Sequence, residues 1–188
     1  MIIGNPYEFA ILVQHIPEWG DSFYRNGLFH LIIDGKMFPE KLCTASLGVE
    51  FGEINSSNAL ISFPENCEIF HAEKEDAFKA MLFMAYPDYR LDYGGGGDDG
   101  QDCKNVYLYK ISGQNSEENG YYLFCVTCND EARVLGAKVG ELISQVDGTK
   151  DRVTIQQLDI SEIIVPIAEI KRIVQQLNDY DLSTRLRK

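Results

Sequence analysis

YYLFCVT at Tyr121–Thr127 and ARVLGAKV at Ala132–Val139 are two apolar runs joined across Cys128–Glu131. Both are rich in residues that suit a pleated surface, and with so short a connection they read as successive antiparallel strands. Downstream, Leu142–Val146 and Arg152–Leu158 flank Asp147-Gly148-Thr149-Lys150-Asp151, which predicts a further hairpin. Upstream, Asn105–Ile111 alternates Val106, Leu108 and Ile111 with other residues as a strand would, and Ser112–Gly120 reads as a polar turn. The region is therefore expected to form an antiparallel meander.

Nearer the N-terminus, Tyr7–Ile16 reads as a strand entered from a turn at Gly4-Asn5-Pro6 and ended by Pro17. Glu18–Asn26 is a packed loop carrying Trp19 and Phe23. Gly27–Ile33 and Lys36–Phe38 flank Asp34-Gly35, a strong signal for a type I′ turn, which needs positive φ at both central residues. Residues 42–63 fit either short strands or a helical turn, and Glu68–His71, after Pro64, reads as a short strand.

Two helices stand out. Glu73–Tyr86 has acids in its first turn, where the helix dipole favours them, and Ala77, Phe78, Met81, Leu82 and Ala85 on one face; Pro87 stops it. The second runs from about Pro166 to Asn178, with a stripe of Ile167, Ile170, Val174 and Leu177. The expectation is an α+β fold in a single domain over residues 1–188. It has a curved antiparallel sheet of about six to eight strands with two main helices packed on one face.

The four glycines Gly94–Gly97 are followed by Asp98, Asp99 and Asp102. Consecutive glycines lose too much backbone freedom in a helix or strand, so a flexible acidic loop is expected near 94–102. The loop lacks the Gly-Lys-Ser/Thr of a phosphate site, and its acids do not follow the calcium-loop spacing. Cys125 and Cys128 share the spacing of a zinc or redox pair, but a separation of three along a strand sends them to opposite faces.

His15, His30 and His71 are the only histidines, and no hydrolase elbow, zinc-protease motif or dinucleotide fingerprint occurs. No catalytic residue, cofactor or metal is expected. Five cysteines in an odd, unframed pattern point to small apolar thiols in a reducing cytoplasm. The N-terminus reads as no signal peptide, and no apolar run reaches the roughly 20 residues of a membrane span.

The net charge is −12, and residues 40–130 hold 16 acidic against 6 basic side chains. Such a field repels nucleic acid and anionic membrane and attracts cationic partners. Tyr86, Tyr89 and Tyr93 adjoin the acidic loop, and Tyr107, Tyr109, Tyr121 and Tyr122 are placed on neighbouring strands. Tyrosine offers a large contact area with a hydrogen-bonding tip. The expected partner surface is acid beside tyrosine over residues 86–122: Tyr86, Tyr89, Tyr93, Asp98, Asp99, Asp102, Glu117 and Glu118. A small-molecule or peptide-binding domain is the alternative, and a cysteine-dependent enzyme a third, since a Cys–His pair can meet in space.

One resemblance sharpens this. Ile3-Gly4-Asn5-Pro6-Tyr7-Glu8-Phe9-Ala10-Ile11, Pro17-Glu18-Trp19, Asn26-Gly27-Leu28-Phe29-His30 and Ile32-Ile33-Asp34-Gly35-Lys36 resemble immunity protein family 42 of bacterial polymorphic toxin systems. Ile167 to Asp179 followed by Tyr180 is similar in style, whereas Gly94–Gly97 departs from the family pattern. The resemblance implies a cytoplasmic, non-catalytic protein. Its partner is a cognate toxin C-terminal domain, often a nuclease, which would be basic if it matches the acidic charge here.

Overall fold

The computed structural model describes residues 1–20, 23–94, 104–144 and 150–185. The glycine run from Gly95 and the acids Asp98, Asp99 and Asp102 lie outside the described residues.

The chain opens with an antiparallel sheet built from β1 (Ile2–Gly4), β2 (Phe9–His15), β3 (Asn26–Ile33), β4 (Lys36–Phe38) and β5 (Ala45–Ser46). β1, β2 and β3 are consecutive neighbours, and β4 and β5 share the other edge of β3. The Asp34-Gly35 turn has φ of 49° and 76°, as the type I′ expectation requires.

Helices follow: α1 (Leu47–Ser57), α2 (Ala59–Ser62), α3 (Cys67–His71), α4 (Lys74–Ala85), α5 (Tyr89–Asp92) and α6 (Gln114–Glu118). α4 buries the predicted face of Ala77, Phe78, Met81, Leu82 and Ala85. Glu68–His71 is helical, not a strand: the Asn66 side chain accepts the Ile69 N–H at 3.1 Å and caps α3.

β6 (Tyr121–Cys128) and β7 (Glu131–Lys138) pair antiparallel, and β8 (Gly140–Ser144) pairs with β9 (Lys150–Thr154) as a separate hairpin. β10 (Ser161–Pro166) then covers the free edge of β7 before α7 (Ile167–Arg185) closes the fold. The α+β class stands, but the strands divide into five-, three- and two-stranded sheets instead of one. The meander breaks because β10, arriving from beyond the hairpin, takes the edge of β7. Asn105–Ile111 is not a strand either. Val106 and Leu108 are half-exposed, so their alternation buries nothing, and only Lys110 bridges to Phe124.

All eight residues of β6 are buried because both of its faces are covered. Leu123 and Cys125 join the core shared with the first sheet, where Phe9, Ile11, Leu31 and Ile33 meet Ile170, Ile173 and Leu177 of α7. Tyr122, Phe124, Val126 and Cys128 face the core under α3, α4 and α5, with Phe78 edge-on to Phe124 at 5.4 Å.

The pair Cys125 and Cys128 therefore diverges, as the period of two demands. One cysteine expectation fails. Cys67 and Cys128, with Cα atoms 4.9 Å apart, form a disulfide between the start of α3 and the end of β6. Their separation of 61 residues carries no framework spacing that a sequence reading can use. Arg133 of β7 reinforces this joint, donating to the carbonyls of Phe70 (2.6 Å) and Ala72 (2.7 Å) and pairing with Glu162. Among the described residues no helix is long and apolar enough to cross a membrane.

Candidate functional site

Tyr86 ends α4, Pro87 blocks the helix, and α5 restarts two residues later. This spacing sends Tyr86, Asp88, Tyr89 and Asp92 toward the start of β6, where Tyr122 meets two of them. The Tyr122 ring lies 4.7 Å from that of Tyr86 and 5.5 Å from that of Tyr89, both edge-on, and the Tyr89 and Tyr122 hydroxyls are 3.0 Å apart. α6 supplies Glu117 and Glu118 from the facing side, and α1 supplies Glu53. Together these enclose an open cleft of about 660 Å³.

Five carboxylates line the cleft, and among the described residues no basic side chain does. The nearest cation is Lys110 at the rim, 2.6 Å from Glu117 and 3.9 Å from Glu53, with its ammonium 5.4 Å from the Tyr107 ring. Local donors hold several of the acids: Ser112 Oγ to Glu117 (3.0 Å), Gln114 to Glu118 (2.6 Å) and Thr154 Oγ1 to Asp92 (2.6 Å). Burial, opposed by Lys110 and aided by Glu117, lifts the Glu53 carboxyl above its ordinary range. Burial and then the Glu117 charge push the Tyr86 phenol up as well.

Behind α6 lies Glu50 of α1, only 3% exposed. It accepts the backbone N–H of Asn115 at 2.9 Å. Gly113 allows the approach, since a Cβ there would overlap the Glu50 carboxylate. Burial raises this carboxyl to about 7; the Asn115 hydrogen bond opposes the rise, and Glu53, Glu117 and Glu118 add to it.

Of the predicted partner residues, Tyr86, Tyr89, Glu117 and Glu118 line this cleft. Tyr93 stands behind its wall, its ring 6.5 Å from that of Tyr89 and its hydroxyl donating to the Ile155 carbonyl at 2.8 Å. Asp98, Asp99 and Asp102 lie outside the described residues. Tyr89, Tyr109 and Tyr122 are largely buried, and Tyr121 faces the other core against Phe38. Apolar ring area pulls these tyrosines inward and leaves the acids as the accessible groups. Sequence reasoning missed Glu53, Asp88, Asp92 and Tyr122. The alternation of Tyr121 and Tyr122 along a strand was the one available signal for the last.

The free thiols among the described residues are quiet. Burial pushes Cys125 up to about 12, and Cys43, hydrogen-bonded to Asn115 at 3.2 Å, is also raised by burial. His30 is fully buried in β3, its Nδ1 3.0 Å from the Pro39 carbonyl, and burial lowers its pKa, so it stays neutral at neutral pH.

No curated protein matches the chain. The solved structures include a similar fold, the crystal structure of CdiI from Burkholderia dolosa AUO158. It is 20% identical, with 96% of this chain and 99% of that chain covered and a TM-score of 0.68. The family model described as immunity protein 42 matches residues 1–180, so the chain belongs to the immunity protein 42 family.

Proposed function

We propose that this immunity protein neutralises its toxin by stoichiometric binding without catalysis, and that the acidic, tyrosine-walled cleft receives a cationic element of the toxin. One observation carries the reading: five carboxylates converge on one cleft that no basic side chain lines among the described residues, in a chain of net charge −12. Opposite fields speed encounter and select the cognate partner. The rings of Tyr86, Tyr89 and Tyr122 give an apolar floor against which the stem of an arginine or lysine can pack. A basic nuclease domain is the toxin class that best fits this charge, with the protein acting in the cytoplasm of the cell that carries the toxin. Among the described residues, burial pushes up the free thiols of Cys43 and Cys125, which supports a binding role over cysteine catalysis.

A second reading, a small cationic ligand, draws on the cleft volume, which falls within the range of roughly 300–1,000 Å³ typical of ligand sites. Co-expression separates the two. The intact chain should restore growth to cells making the cognate toxin domain, and Glu117→Gln with Glu118→Gln and Asp92→Asn should weaken both rescue and binding. The variant's affinity should also depend less on salt, because exposed charges are screened over about 8 Å at physiological ionic strength. Full rescue by that variant, with an unchanged salt slope, would move the interface elsewhere.

A further inference from the structure

We propose that Glu50 positions the acidic wall of the cleft, and that it releases its proton when a cationic element of the partner occupies that cleft. This rests on the cleft being the toxin-facing surface.

The geometry supplies the first half. α6 is a five-residue helix and carries Glu117 and Glu118 into the cleft. Three ties fasten its start: the Asn115 N–H to Glu50, the Asn115 side-chain amide to the Phe29 carbonyl at 3.2 Å, and the Cys43 thiol to Asn115 Oδ1 at 3.2 Å. Glu50 is the only charged member of this set. Gly113 leaves no side chain between the carboxylate and the backbone of α6.

The second half follows from what surrounds the carboxyl. From its own helix, Glu53 faces it; from α6, Glu117 and Glu118; from the segment before β5, the Cys43 thiol. Among the described residues no lysine, arginine or histidine pairs with Glu50, and Lys110 reaches only Glu53 and Glu117. A buried acid without a cation and ringed by like charges favours its protonated form, in line with its rise to about 7. At neutral pH both forms are therefore populated. Burial does most to hold the proton on Glu50, and a guanidinium or ammonium seated between Glu53, Glu117 and Glu118 cancels the like charges that add to it, which shifts the balance toward the carboxylate. The proton passes to solvent, and no other bond changes. Binding that releases a proton tightens as pH rises, by at most about tenfold per pH unit.

The test uses a hexa-arginine peptide as the cation. Carboxyl 13C NMR follows Glu50 in the free protein and at peptide saturation, and calorimetry measures affinity at about pH 6 and about pH 8, on either side of the titration. Glu50 should titrate near neutrality when free and at lower pH with peptide, and affinity should rise several-fold with pH. Glu50→Gln keeps an acceptor for the Asn115 amide, so it should bind the peptide with a flat pH profile. Glu50→Ala should bind more weakly at every pH. The proposal is overturned by an ordinary Glu titration in the free protein. It is equally overturned by the same midpoint with and without peptide while Tyr86 and Glu117 signals shift; the cleft reading survives both results. A peptide that shifts no cleft signal overturns the cleft reading, and this proposal with it.

Discussion

Replacing Glu50 by Gln changes one buried charge and keeps its hydrogen bond to α6, which makes it the sharpest test of the electrostatics around the cleft. In the folded chain the carboxyl lies at about 7 against an ordinary 4.5. Below about pH 4.5 both the folded and unfolded chains hold the proton, and stability is whole. As pH rises toward the folded value, the unfolded chain ionises freely while the folded one resists, so stability is lost through that window. At 1.36 kcal/mol per unit, the loss from Glu50 is at most about 3 kcal/mol. Urea unfolding from about pH 5 to about pH 8 should show the wild type losing most of that amount relative to Glu50→Gln, whose curve is flatter. Each kcal/mol corresponds to about 2–4 °C in Tm at this chain length. Subtracting the two profiles removes the distant groups Asp159 and Glu169, whose carboxyls Lys36 and Arg172 hold low in both proteins. Parallel profiles would refute the reasoning, because they would mean that the carboxyl ionises as easily inside the fold as outside it.

Three other substitutions probe what holds the cleft's supports. Arg133→Ala strands the Glu162 carboxylate and frees the carbonyls of Phe70 and Ala72, so urea unfolding should show a loss of about 3–5 kcal/mol. Phe78→Ala empties a fully buried ring site against Phe124 and should cost about 3–5 kcal/mol, read by thermal unfolding. Cys128→Ser opens a covalent loop spanning 61 residues of separation, and chain entropy puts the loss at up to about 4 kcal/mol. Adding reductant to the wild type should reproduce that loss in a denaturant titration and should not alter the Cys128→Ser curve.

Legibility in the sequence followed the range of the interactions. β2, β3 and the Asp34-Gly35 turn announce themselves through local pattern, as do α4 and α7, because a period or a turn residue acts within a few positions. The four residues Glu68–His71 are too short for any period to register, and the informative residue was Asn66, just outside them. Val106 and Leu108 alternate correctly, yet no strand pairs beside them, so pattern without a partner misleads. In the cleft, Tyr86, Tyr89, Glu117 and Glu118 were legible as acid beside tyrosine. Glu53, Asp92 and Tyr122 arrive from three separate elements, and only the fold brings them together. Glu50 lies in the stretch 42–63, whose reading stayed open between strand and helix, so its burial had no local signature.

The disulfide also has a topological consequence. Tyr86, Asp88, Tyr89, Asp92, Glu117, Glu118 and Tyr122 all fall between Cys67 and Cys128, so most of the cleft belongs to one closed macrocycle. A protease that severs a single peptide bond within that ring yields two fragments still joined through sulfur. They would migrate as one species on a non-reducing gel and separate only when the bridge is broken.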